Sequence, residues 1–149
     1  MIRYWMFTVL LSTGIFAAEK RVKMTDLPAG VQRTVQQQSK GAVIRGLSKE
    51  VENGKTYYEA ELKVNGHNKD LLIDPTGAIV EVEDEVARDS VPQAAKAALD
   101  KQAGKGKVLS IESITKDHAL VAYEAKIKTA GGKTTEVRVT PEGTPAKEQ

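Results

Sequence analysis

The chain holds two histidines, His67 and His118, and each stands close to an aspartate, Asp70 and Asp117. A histidine beside a carboxylate is the pairing that a general base or a metal centre would use. Neither pair has a nucleophile or a further ligand at a recognisable spacing. Both fall in or beside segments that read as hairpin turns, so solvated turn residues are the expectation. No Gly-X-Ser-X-Gly elbow, His-Glu-X-X-His helix or phosphate-binding loop is present. Cysteine is absent, which removes disulfides, thiolate metal sites and thiol nucleophiles. No catalytic, cofactor-binding or metal-ligating residue is assigned, and the protein is not expected to be an enzyme.

The sharpest charge feature is the run Glu81, Glu83, Asp84 and Glu85. In a strand, Glu81, Glu83 and Glu85 share one face, where hard oxygens could gather around a cation, although the turn of an EF-hand loop is missing. The plainer expectation is a solvated edge strand running into a linker, whose charges resist edge-to-edge association. Tyr57, between Lys55 and Glu59, has the outward phase of its strand, and an exposed tyrosine can anchor a partner protein. Tyr57, Glu59, Glu81 and Glu83 are therefore the residues expected to meet a partner. An ion- or small-ligand-responsive use of the run at 81–85 is the alternative.

The 22 basic and 20 acidic residues are interspersed, so the net charge of +2 is not gathered into the field that a phosphate backbone needs, and nucleic acid is excluded as a partner. With 40% hydrophobic and 28% charged residues the chain has the composition of a folded protein. Aromatics are only 5%, so its core must be built from Val, Ile, Leu and Ala. Arg3, an apolar run from Tyr4 to Phe16, and Ala17-Ala18 before the charged Glu19-Lys20-Arg21 have the layout of a secretory signal peptide. The run is too short to span a bilayer well. Residues 1–18 are expected to be removed, with cleavage after Ala17 or Ala18, leaving a periplasmic or extracellular protein with no stable membrane insertion.

Beyond Glu19 the chain can be laid over itself. Leu27-Pro28 answers Val91-Pro92, Tyr58-Glu59-Ala60 answers Tyr123-Glu124-Ala125, and Ile73 to Gly77 answers Val139 to Gly143. Each half opens on a helix signal. Pro28 and Pro92 suit a first turn, Asp26 and Ser90 lie upstream as caps, and Gly41, Gly104 and Gly106 are stops. Val31 and Val35 form one apolar stripe, and Ala94, Ala95, Ala98 and Leu99 another. A period of two follows, with Tyr58 and Tyr123 in the inward phase and strands divided by Asn53-Gly54, Asn65-Gly66 and Gly131-Gly132. Asp74-Pro75-Thr76-Gly77 is the strongest turn, whereas Pro145 breaks the last strand and predicts a frayed C-terminal edge.

A leucine or valine before a helix-opening proline, a Tyr-Glu-Ala strand after a glycine hairpin, and an aspartate-to-glycine turn together resemble the PepSY-like family over residues 25–145. The fold class expected is α+β: two tandem units, 19–86 and 87–149, each one helix packed on an antiparallel meander sheet of three to four strands. The resemblance implies exported or cell-envelope proteins. Some relatives occur in propeptides of secreted peptidases, and tandem units look like the fold of β-lactamase inhibitor proteins. It therefore implies binding or inhibition of another exported or envelope protein, a peptidase among the candidates, and it supplies no transferable active site. The first half, with Tyr57 where the second has Ala122, is expected to carry the binding.

Overall fold

Alternation of apolar and charged residues builds the strands of this protein, and in the computed structural model, which describes residues 20–146, every strand is antiparallel to its neighbours. The expected leader lies outside the described residues. The order is β1 (Lys20–Arg21), α1 (Ala29–Gln38), β2 (Ala42–Glu52), β3 (Lys55–Val64), β4 (His67–Ile73), β5 (Ile79–Glu85), α2 (Gln93–Ala103), β6 (Lys107–Lys116), β7 (Ala119–Lys128) and β8 (Thr134–Val139). The strands form one eight-stranded sheet in chain order.

That single sheet overturns the expectation of two tandem units, each with a meander of its own. β5 pairs with β4 on one side and with β6 on the other, from Glu81↔Lys116 to Glu85↔Glu112. The reason is that a strand left at an edge exposes a row of unsatisfied backbone groups, and pairing β5 with β6 removes two edges at once. It also corrects the placement of the acidic run: Glu81 to Glu85 lie on a central strand and guard no edge.

Two apolar cores survive within the one sheet. Val31 and Val35 of α1 pack with Leu27, Leu47, Ala60, Leu62, Leu71 and Ile73. Ala95 and Leu99 of α2 pack with Val91, Ile111, Tyr123, Ala125, Ile127 and Val139. Tyr123 is buried and Tyr58 half-buried against the first core, in the inward phase expected of both. Directly opposed residues project to the same side of a sheet. The row Leu62↔Lys69↔Asp84↔Ser113↔Tyr123 runs from the first core to the second, so both helices lie on one face. Among the described residues, no helix covers the other face.

Pro28 and Pro92 stand at the N-cap positions, one residue before the first helical turn. Asp26 and Ser90 do not cap these helices, because each is held in the short 3-10 turn that precedes its helix. Asp26 accepts from the Lys23 N–H at 3.2 Å, and the Ser90 hydroxyl donates to the Ala87 carbonyl at 2.7 Å. The C-terminal edge is tied rather than frayed: Val139 bridges to Pro145, and the Ala146 N–H donates to the Arg138 carbonyl at 3.1 Å. Proline lacks a donor, but its neighbour supplies one.

The Asp74–Gly77 turn positions the first helix. Asp74 Oδ1 accepts from the backbone N–H of Thr76 at 2.8 Å and from those of Gly77 and Ala78 at 3.1 Å, and from the Thr76 hydroxyl at 2.6 Å. These bonds, the Thr76 hydroxyl first among them, hold its carboxyl below the usual aspartate value. The Thr34 hydroxyl of α1 donates to the Gly77 carbonyl at 2.6 Å. A Cβ on Gly77 would stand 2.6 Å from the backbone of Gly30 in α1, so turn and helix meet glycine on glycine. Gly77 has φ +99, and Gly132 has φ +83 with open space around it. Gly132→Ala should therefore cost about 1 kcal/mol for the left-handed backbone alone. Gly77→Ala should exceed it by roughly 1–3 kcal/mol, the scale of an overpacked contact, and urea unfolding of the two variants checks the difference.

Candidate functional site on the helix-free face

The polar phase of every strand faces the side without helices, and register decides which of these residues meet. Three cross-strand rows matter: Glu59↔Leu72↔Glu81↔Lys116, Glu61↔Asp70↔Glu83↔Ile114, and Glu85↔Glu112↔Glu124↔Arg138. Acidic side chains from five strands thus share one face, and three of them, Glu81, Glu83 and Glu124, meet at one arginine.

Arg138 Nη1 lies 3.2 Å from Glu81 Oε1 and Nη2 lies 2.7 Å from Glu83 Oε1, while Nε donates to Glu124 Oε2. Lys116 Nζ adds a second cation at 2.8 Å from Glu81 Oε2. Glu81 is only 7% exposed and Glu124 5%. Charges so poorly hydrated are tolerable only when paired and hydrogen-bonded, and the planar guanidinium with its fork of donors suits three carboxylates at once. Burial works against the Arg138 charge, but the Glu124 hydrogen bond and the charges of Glu83 and Glu81 outweigh it and raise its pKa further.

Glu81 and Glu83 share one face, as the alternation requires, but both are turned to Arg138. Glu59 accepts a hydrogen bond from the Ser48 hydroxyl at 3.0 Å, so it too is held within the chain. Tyr57 is half-buried and lines an open cleft of about 290 Å³ together with Leu72, Val80, Glu81, Lys116 and the β2–β3 hairpin. The structure thus brings Tyr57 and Glu81 together and leaves Glu59 and Glu83 outside that cleft. His67 and His118 are exposed at hairpin ends. Asp117 and His118 form their turn at φ 48° and 64°, without glycine.

Glu83, Glu112 and Glu124 each place an oxygen within 4.8 Å of the others. The cation in this cluster is the Arg138 guanidinium, which already binds two of the three. Glu112 and Asp70 stand beside it. Burial first, and then the charges of Glu59, Glu112 and Glu61, push Asp70 up to about 7. Burial and Glu124 push Glu112 up as well.

Asp70, Glu112, Glu124 and Arg138 carry this site and are absent from the sequence-derived candidates. Each sits in the polar phase of a visible strand, but only the β5–β6 register brings them to Glu81 and Glu83. The site therefore draws on both halves of the chain, whereas the residues expected to meet a partner, Tyr57, Glu59, Glu81 and Glu83, all lie in the first.

The chain matches no family model and no curated protein. Its PepSY-like membership, expected from the motifs, is thus not confirmed. Solved structures share the fold. A protein of Bacteroides eggerthii described as periplasmic is 18% identical, with a TM-score of 0.61 over 83% of this chain and 88% of that one. A DUF2874 family protein of Bacteroides uniformis is 20% identical, with a TM-score of 0.59 over 80% and 86%. A BLIP-like protein of Bacteroides fragilis is 16% identical, with a TM-score of 0.52 over 82% and 85%. The last agrees with the implied likeness to β-lactamase inhibitor folds. Among the described residues no helix is long and apolar enough to cross a membrane.

Removing Arg138 should leave Glu81, Glu83 and Glu124 buried beside one another without their shared counter-charge. Arg138→Met should destabilise the protein by about 3–5 kcal/mol in urea unfolding at neutral pH, the scale of a broken buried pair. Arg138→Lys, which keeps the charge but not the fork, should lose less.

Proposed function

We propose that the protein is an exported, non-catalytic component of the bacterial envelope that binds another envelope protein through the helix-free face of its sheet. The observation that carries this reading is the cleft at Tyr57. An aromatic ring stands with Leu72 and Val80 inside a rim formed by Lys55, Glu52, Glu81 and Lys116. Apolar anchors enclosed by polar groups are the composition of an interface centre. The fold neighbours described as periplasmic and the BLIP-like neighbour support an exported binding protein. The exposed histidines at hairpin ends support a non-catalytic one. The motif resemblance makes an exported peptidase the partner class to try first.

A photo-crosslinking amino acid placed at position 57, in cells that export the native chain, should yield a discrete adduct with an envelope protein. The same group at exposed Ala97 on α2 should yield none. Tyr57→Ala should weaken capture of that partner at least tenfold while changing stability by no more than about 1 kcal/mol, because the side chain lies outside both cores. Adducts from position 97 alone, or capture untouched by Tyr57→Ala, would move the interface off this face.

A further inference from the structure

The centre of the sheet sets carboxylates directly against carboxylates. Asp70 on β4 lies opposite Glu61 on β3 and Glu83 on β5. Glu112 on β6 lies opposite Glu85 on β5 and Glu124 on β7. Like charges directly across a ladder destabilise it, and two close carboxylates resist ionising together. Arg138 relieves this for Glu81, Glu83 and Glu124. No hydrogen bond or ion pair joins the side chain of Asp70 or Glu112 to another described residue.

We infer that this row is a proton-holding device in the sheet: Asp70 keeps its proton at mildly acidic pH, Glu112 releases its own less readily than an ordinary glutamate, and shedding these protons as the pH rises weakens the β5–β6 seam between the two cores. The charged groups around them point the same way. Asp70 is faced by Glu59 and Glu61 from β3, Glu83 from β5 and Glu112 from β6, with Lys126 of β7 the opposing cation. Glu112 is faced by Glu85, Glu124 and Glu136, again with Lys126 opposed to them. Lys126 is itself drawn to Glu136 on β8, at 3.3 Å, and cannot neutralise both carboxylates. Glu83 lies between the two, and burial and its acidic neighbours raise it against the pull of Arg138.

The sign follows from linkage. Asp70 ionises near 3.8 in the unfolded chain and near 7 in the folded one. Between those values the folded state holds the extra proton, so stability is fullest below the lower value and is lost as the pH rises through the upper one. Asp74, whose pKa is lowered, acts in the opposite sense and only at more acidic pH, outside this window.

The test is urea unfolding of the mature chain from about pH 5 to pH 8, together with carbonyl-carbon NMR titration of its aspartates. The wild-type midpoint should fall across this range. Asp70→Asn, which keeps the shape without the charge, should make the fall shallower, the remainder coming from Glu83 and Glu112, and give the higher midpoint at the alkaline end. Glu112→Gln should act in the same direction. The Asp70 carboxyl should titrate well above the other aspartates. A midpoint that is flat or rises with pH, a slope unchanged in Asp70→Asn, or an Asp70 carboxyl titrating near 4 would overturn the inference. The NMR arm decides even where a variant folds poorly.

Discussion

Five backbone pairs between β5 and β6 turn two helix-on-sheet cores into one molecule. On the helix side the seam is mixed: Val82 meets Thr115, Asp84 meets Ser113, and the Ser113 hydroxyl reaches the Asp84 carbonyl at 3.4 Å. Val82 of β5 packs on the first core and Val86, just past β5, on the second, so apolar contact reaches the seam at only a few positions. On the opposite side, Lys116 and Arg138 reach from the second half to the glutamates of β5. Ile114 and Ala122 lie buried in that face, outside both clusters. The seam therefore combines the ladder, charge pairing and the burial of Ile114, with a larger share of charge pairing than either core has. Hydrophobic burial is largely indifferent to pH, whereas charge pairing responds to pH and is screened by salt.

This division accounts for what the sequence revealed. The helices, the hairpins and the inward phase of Tyr58 and Tyr123 follow from local chemistry: a period of 3.6 or 2, a proline at a helix start, Asn-Gly at a tight turn. The Asp117-His118 turn was less legible because it has no glycine. The sheet's continuity was not legible at all. Alternation shows which residues of a strand share a face, but it does not show which edges pair, and β5 and β6 are separated by the whole of α2. For that reason the acidic run read as an edge device. Asp70, Glu112, Glu124 and Arg138 each looked like an ordinary outward residue until the register placed them together.

The polar face also shows a limit of charge counting. A net charge of +2 spread evenly along the chain gives no hint of a local excess of carboxylates. Antiparallel pairing brings Glu61, Asp70 and the glutamates of β5 to the same face as Glu112 and Glu124. A chain of nearly balanced charge thus builds a locally acidic surface, and Arg138 helps make that surface compatible with a stable sheet. Tyr57 and its cleft lie beside this arrangement and share Glu81 and Lys116 with it. A change in the pairing of Glu81 would be felt at both places.

Strand order equals chain order in this sheet, and that bears on how the molecule is assembled. Every ladder joins segments adjacent along the chain or separated by a single helix, so few long loops must close before contacts form, the condition under which chains fold quickly. A polypeptide threaded N-terminus first through a narrow channel can close its first core once β5 has emerged, without waiting for the remainder. Arg138 is the exception. It meets Glu81 across 57 positions of sequence and comes from the last strand. Glu83 must wait for its arginine until β8 arrives, and a nascent chain stalled before β8 would have Lys69 and Lys116, but not Arg138, to set against its most acidic strand.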